Sequence, residues 1–103
     1  MQTDSNDFDD LAAHANQAAA ILQALSNPHR LMILCVLSGG ELSVSELNQR
    51  LSLSQSALSQ HLAVLRNQGL VHRRRQQQTM FYSVIPGPAT DIVSVLQQHF
   101  CPQ

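Results

Sequence analysis

The sequence predicts a mainly α-helical fold that contains one small β-hairpin. Five segments have the apolar spacing or the capping residues that are typical of helices. A stretch between residues 70 and 84 is instead rich in β-forming residues on both sides of a polar tip. The 103 residues correspond to one domain, and the 44% of apolar residues indicate a globular chain.

The N-terminal part is predicted to consist of a tail and a helix. Residues 1–9 are acidic and polar, so we expect a disordered tail, with the folded domain spanning residues 10–103. From about Asp10 to Leu25, apolar side chains recur at three- and four-residue steps, which predicts the first helix.

A second helix is predicted from Pro28 to Leu37. Pro28 suits the first turn of a helix, and Gly39-Gly40 ends the segment. The residues from Leu31 onward are apolar on every side of this helix, so we expect it to be fully buried.

Two closely joined helices follow. Ser43 and Glu46 form a capping-box pattern that opens a short helix over residues 44–51. Ser54 is the expected N-cap of a longer helix over residues 55–68. So short a connection between two helices predicts a helix-turn-helix.

The remainder of the chain is predicted as a hairpin and a last helix. Gly69 closes the preceding helix, after which Leu70–Arg74 and Met80–Val84 are strand candidates around the polar tip Gln76–Gln78. A final helix is expected over Pro88–Phe100. The order α-α-α-α-β-β-α is that of a winged helix-turn-helix with an extra helix at each end. Because a small core leaves apolar faces on the terminal helices uncovered, we expect a homodimer through the first and last helices.

The helix over residues 55–68 has two chemically distinct faces. Its apolar stripe of leucines is expected to pack inward, whereas the polar face at its N-terminal end carries no charge. Short hydroxyl and amide side chains suit contact with base edges in a major groove, and the alternative is an ordinary polar helix surface. The inward residues are Leu58, Leu62 and Leu65, and the polar ones are Gln55, Ser56, Ser59 and Gln60.

The charge distribution favours nucleic acid despite a net charge of −1. Four of the seven acidic residues lie in the first ten positions, whereas all six basic residues are arginines that follow. A hairpin beside the helix-turn-helix is placed to enter a minor groove, which arginine prefers, although a solvated turn is the alternative. Arg50 is a further, weaker phosphate candidate. The predicted contacts to double-stranded DNA are Ser54, Gln55, Ser56, Ser59, Gln60, Arg66, Arg73, Arg74, Arg75 and Gln77.

The two cysteines, Cys35 and Cys101, have two interpretations from the residues alone. They do not form a disulfide scaffold, and they are either inert packing residues or a redox pair. The five histidines lack the spacing of metal ligands, so no metal site and no cofactor are predicted. No Cys-x-x-Cys, glycine-rich cofactor loop or Ser/His/Asp arrangement is present, which argues against an enzyme.

Three stretches of the chain together resemble the ArsR (ArsR/SmtB) family. The resemblance implies a winged-helix homodimer, an interface of the first and last helices, and operator recognition by the residues matching Gln55, Ser56, Ser59 and Gln60. It also implies release from the operator when an inducer binds or reacts. The stretches are Leu25-Ser26-Asn27-Pro28-His29-Arg30-Leu31, Leu53-Ser54-Gln55-Ser56-Ala57-Leu58-Ser59-Gln60-His61-Leu62 and Leu65-Arg66-Asn67-Gln68-Gly69-Leu70-Val71.

The positions of the cysteines distinguish branches within that resemblance. Metal sensors of the family carry a Cys-x-Cys motif in the helix matching residues 44–51, and this sequence has none there. Asp91 and His99 likewise stand without the partners of the family's second metal site. The pair Cys35 and Cys101 instead resembles the HlyU/BigR/SqrR-type branch, which implies sensing of sulfane sulfur or an oxidant. A metal-responsive repressor and a winged helix used only for protein–protein contact remain alternatives.

Location is predicted from what the sequence lacks. There is no apolar run long enough to cross a membrane, and the acidic N-terminus is unlike a signal peptide. We therefore expect a cytoplasmic protein that does not interact with membranes.

Overall fold

The structure, a computed structural model, describes residues 5–101 and has the winged helix-turn-helix architecture predicted above. This part of the chain contains six helices and a small antiparallel sheet. The elements are α1 (Ser5–Ala13), α2 (Ala15–Leu25), α3 (Pro28–Leu37), β1 (Leu42–Ser43), α4 (Val44–Arg50), α5 (Gln55–Asn67), β2 (Val71–Gln76), β3 (Thr79–Val84) and α6 (Pro88–Phe100).

The N-terminus differs from the expectation of one helix preceded by a disordered tail. Residues 5–9, expected in the tail, belong to α1, while residues 1–4 lie outside the described part. His14 breaks the helix, since its backbone leaves the helical region (φ −116°, ψ 14°). Its ring Nδ1 donates to the carbonyl oxygen of Asp10 at 2.9 Å, which closes α1 before α2 begins.

Helix α3 begins where predicted but is not fully buried. The side chain of Asn27 accepts hydrogen bonds from the backbone N–H groups of His29 and Arg30, which caps the helix ahead of Pro28. Met32 is 49% exposed and Cys35 is half-buried. The expectation of full burial was wrong because the helix packs on the core with one face only.

The core lies between α3, α5 and the sheet. Ile33, Leu34 and Leu37 contribute from α3, and they are buried together with the leucine stripe of α5. That stripe, predicted from its i, i+4, i+7 spacing, is confirmed by Leu58, Leu62 and Leu65, each at most 2% exposed.

The sheet has three strands, one more than predicted. Leu42 pairs with Tyr82 and Ser43 with Phe81, so that the order is β1-β3-β2. The wing itself runs to the Gln76–Thr79 pair, and its two-residue tip places Gln77 in the left-handed region at φ 56°. A two-residue β1 has no periodicity of its own, which is why its sequence carries no strand pattern.

The helix-turn-helix is defined by the predicted caps. Ser43 donates its backbone N–H to Glu46 Oε1 at 2.8 Å, and Glu46 donates its backbone N–H to Ser43 Oγ at 3.1 Å. Ser54 Oγ accepts from the backbone N–H of Ala57, which starts α5. Gly69, at φ 73°, donates to the carbonyl of Arg66 and closes α5. These local bonds set the direction in which α5 leaves the core.

Within the described residues, no single helix is long and apolar enough to cross a membrane. Helices α2 and α3 reach the required length and hydropathy only as a pair, and they are bent by 91° at the break between them.

Candidate nucleic-acid interface and cysteine pocket

The uncharged polar face of α5 projects away from the core. Gln55, Ser56, Ser59 and Gln60 are all exposed, while the leucine stripe on the other side of the helix is buried. Ser54, another predicted contact, is exposed and is partly occupied as the N-cap of α5. The face therefore presents amide and hydroxyl groups, together with the positive end of the helix, to the surroundings.

A groove of about 470 Å³ separates this face from the wing. Its lining includes Gln55 from α5, Gln78 from the wing tip and three polar residues of α4. Those three, Ser45, Asn48 and Gln49, were missed as candidates because nothing in the sequence indicates that α4 faces the wing. Asn48 Oδ1 is buried without a hydrogen-bond partner among the described residues, so the groove contains one unsatisfied acceptor.

The three wing arginines have different surroundings. Arg74 donates from Nε and a terminal nitrogen to the two carboxylate oxygens of Glu41, both at 2.8 Å, and lies over the ring of Phe81 at 4.6 Å. The hydrogen bond from Arg74 holds the pKa of Glu41 below its usual range, and the same bond raises the pKa of Arg74. This predicted DNA contact is therefore already engaged by Glu41.

Arg73 and Arg75 are the more available wing arginines. Both are exposed, and Arg75 Nε donates to the carbonyl of Gln77 at 2.9 Å, which orients its side chain along the tip. Arg66, in the last turn of α5, is half-buried, and Arg50, in the last turn of α4, is exposed. The structure thus places the predicted contacts around α5 and the wing, with Arg73 and Arg75 as the freest cations among them.

A cluster of basic side chains connects the start of α3 to the middle of α5. Arg30 donates to His61 Nδ1 at 3.4 Å and to the carbonyl of Ala24 at 2.6 Å, and the rings of His29 and His61 lie 5.5 Å apart. Burial, followed by the nearby charges of Arg30 and His29, lowers the pKa of His61. The lowered pKa favours the neutral ring of His61, whose Nδ1 accepts from Arg30.

The two cysteines both line one apolar pocket of about 280 Å³ between α3 and α6. Cys35 is half-buried on α3, and Cys101 is exposed at the C-terminal end of α6. Gln97 Nε2 donates to Cys35 Sγ at 2.7 Å. The remaining lining residues are Leu31, Met32, Val93, Leu96 and Phe100.

This cysteine pocket opens beside a set of exposed apolar side chains. Helix α2 packs against α1, α3 and α6, and each of these four helices carries large apolar residues that the described part of the chain leaves exposed. Phe100 is 74% exposed and Val95 is 62% exposed. We call this set the apolar face; it comprises Phe8, Leu11, Leu22, Met32, Val95, Leu96 and Phe100.

Asp91 and His99 do not form part of a metal site in the structure. Among residues 5–101, no group of three or more His, Cys, Asp or Glu side chains is arranged to hold a metal ion.

Comparison with known proteins identifies the family. Residues 27–73 match the family described as bacterial regulatory protein, arsR family. The transcriptional activator HlyU of Vibrio cholerae is 45% identical over 92 residues, which cover 89% of this chain and 85% of that protein. The biofilm growth-associated repressor of Xylella fastidiosa is 42% identical over 95 residues, which cover 92% of this chain and 83% of that protein.

A solved structure agrees with these matches. Reduced HlyU from Vibrio cholerae superposes with a TM-score of 0.83 at 44% identity and covers 89% of this chain and 97% of that one. The chain belongs to the ArsR family and falls in its HlyU-like branch. The predicted resemblance, the winged-helix fold and the prediction of a regulator instead of an enzyme are confirmed.

Proposed function

We propose that this ArsR-family regulator binds an operator as a homodimer and is released from it when Cys35 and Cys101 are oxidised or sulfurated. The observation that carries the DNA-binding part is the exposed, uncharged Gln/Ser face of α5 above its buried leucine stripe. The observation that carries the sensing part is the single pocket that both cysteines line.

The geometry of α5 supports major-groove binding. Gln55 and Gln60 carry the amide group that forms a bidentate contact with adenine, and Ser56 and Ser59 are short enough to allow close approach. Arg73 and Arg75 on the wing reach the flanking minor groove or phosphates. The groove between α4, α5 and the wing, with Asn48 at its wall, accommodates the backbone that runs between these two contacts.

A salt titration tests the DNA-binding part. Affinity for duplex DNA should fall steeply as salt concentration rises, because arginine contacts to phosphate release counterions. A winged helix used only for protein–protein contact would show no affinity for duplex at low salt. The variant pair Arg73→Ala and Arg75→Ala should reduce the salt dependence, with Arg74→Ala as the matched control, since Arg74 is engaged by Glu41.

The apolar face supports dimerisation with a second copy of the chain. Side chains such as Phe100 and Val95 are more exposed than a stable monomer of this size favours. They lie on α1 and α6, the first and last helices, and on the helices packed against them. Sedimentation analysis should give a dimer, and Phe100→Asp should produce monomers that bind DNA weakly.

The sensing chemistry uses two thiolate displacements. The Cys35 thiolate attacks the outer sulfur of a persulfide RS–SH, so that Cys35–S–SH forms and RS⁻ leaves. The Cys101 thiolate then attacks the Cys35 sulfur, giving the Cys35–Cys101 disulfide and hydrosulfide. With a peroxide, Cys35–SOH forms in the first step, and hydroxide leaves in both. The two thiolates lose two electrons to the sulfane sulfur or to the peroxide.

The consequence for DNA binding follows from where the cross-link forms. A bond between Cys35 and Cys101 ties α3 to the end of α6, and both helices contribute to the apolar face. A changed dimer interface changes the separation of the two α5 helices, which two half-sites require to be about 34–36 Å. Sulfuration therefore lowers affinity for the operator.

Operator-binding assays before and after treatment with polysulfide or peroxide test the sensing part. Affinity should fall on treatment of the wild-type chain and remain unchanged in Cys35→Ser and Cys101→Ser. Mass spectrometry of the treated chain distinguishes a disulfide from a link that retains sulfur atoms. A treated Cys35→Ser chain that still releases DNA would refute cysteine-based control, and release caused only by a divalent metal would favour the metal-responsive alternative.

A further inference from the structure

Among the residues that the structure describes, Gln97 is the one polar residue besides the cysteines that lines the cysteine pocket. Its side chain donates from Nε2 to Cys35 Sγ at 2.7 Å. Its backbone oxygen accepts from the N–H of Cys101 at 2.8 Å. One residue of α6 therefore contacts both cysteines, through its amide group on one side and its main chain on the other.

The surroundings make the side-chain contact significant. Gln97 is half-buried, and the other walls of the pocket are aliphatic and aromatic carbon from Leu31, Leu96 and Phe100. Beside such walls the amide has few alternative protein acceptors, and a donor that is shielded from water is costly to leave unpaired. Hydrogen bonds to an ionised acceptor are about twice as strong as those to a neutral one. The contact therefore strengthens when the Cys35 sulfur carries negative charge.

We propose that Gln97 is a positioning residue for Cys35: its amide holds the sulfur at the pocket and stabilises it as the reacting thiolate. This inference rests on the proposed function, because it describes how the same cysteine pocket reacts. The sulfane-sulfur donor then enters a pocket whose described lining is otherwise apolar, and there the Gln97 amide donates to the reacting sulfur. Cys101, the thiol proposed for the second displacement, lies one helical turn beyond Gln97.

The test measures the alkylation of Cys35 in the full-length chain. Cys101→Ser provides the background, so that iodoacetamide reports on a single thiol and mass spectrometry counts the product. Alkylation rates are followed from acidic to alkaline pH in this background and with Gln97→Met added. Methionine preserves the length of the side chain but has no donor. Gln98→Met, at an exposed neighbouring position, is the matched control.

We expect Gln97→Met to slow alkylation at neutral pH by roughly tenfold or more, the size expected for a lost hydrogen bond to a charged group. The difference from the background chain should narrow as the pH of the assay is raised. Gln97→Glu should slow the reaction further, because a carboxylate repels the thiolate, and it provides the answer if Gln97→Met does not fold. Gln98→Met should follow the background chain.

An unchanged pH profile in both Gln97 variants would overturn the assignment, as would an equal loss of rate at every pH, which indicates only altered access. Failure of the proposed function has a different signature. In that case wild-type DNA binding is insensitive to sulfuration, whatever the alkylation profile of the Gln97 variants.

Discussion

The polar face of α5 and the cysteine pocket differ in polarity and in how far each is supported by buried side chains. The α5 face exposes uncharged amides and hydroxyls on a helix whose other side is anchored by three buried leucines. The cysteine pocket has apolar walls, and three of them, Met32, Leu96 and Phe100, are themselves exposed. The first surface is complete within one chain. The second leaves apolar side chains exposed among the described residues, so that a change at the pocket acts on an uncovered apolar surface.

The largest expected effect is a loss of stability when the buried leucine stripe of α5 is truncated. Leu58→Ala should destabilise the fold by about 2–5 kcal/mol, because Leu58 is fully buried and its truncation leaves a cavity beneath the polar face. Urea unfolding measures the loss. Ser59→Ala, one position away but exposed, should change stability by less than about 0.5 kcal/mol. Equal losses in the two variants would mean that α5 is not anchored as described.

The second effect separates recognition from stability. Gln55→Ala should cost about 1–3 kcal/mol of operator-binding free energy if its amide reads a base, while the free energy of unfolding stays the same. Fluorescence anisotropy with operator and random duplex measures the difference. Gln98→Ala, exposed on α6, serves as the control. A uniform loss on both duplexes would indicate a phosphate contact and not base recognition.

The third effect is a pH dependence of stability that arises from His61, where α3 contacts α5. The pKa of His61 is lowered in the folded chain from 6.5, so the unfolded chain binds more protons just below that pH. Stability from this site is therefore complete above about pH 6.5 and is lost as pH falls through the lowered value. As pH is lowered over this window, the midpoint of urea unfolding should fall less steeply in His61→Gln than in the wild-type chain. Parallel curves for the two chains would contradict the prediction.

The smallest effect concerns the wing. Glu41→Gln should leave stability nearly unchanged, because the Glu41–Arg74 pair is exposed to solvent. It frees Arg74, so affinity for duplex DNA at low salt should rise modestly and depend more strongly on salt. Adding Arg74→Ala to Glu41→Gln should remove the gain. A loss of affinity in Glu41→Gln alone would instead mean that the ion pair holds the wing in its binding orientation.

Local patterns account for what was predictable. The Ser43/Glu46 capping box, the Ser54 cap and the Gly69 closure all depend on groups a few positions apart, and all are present in the structure. Contacts between distant positions were not predictable. Arg74 and Glu41 are 33 positions apart, and Gln97 and Cys35 are 62 apart. Strand β1 belongs to the same group, since it exists only through its pairing with β3.

The sequence by itself determined the helices from Pro28 onward, the wing, the two faces of α5 and the family, because caps and apolar periodicity act within a few residues. Only the tertiary structure decided which wing arginine is engaged, that α4 lines the groove beside α5, and that Gln97 joins both cysteines at one pocket. The physical reason is that such contacts arise when packed elements bring distant side chains together, and no local pattern encodes them.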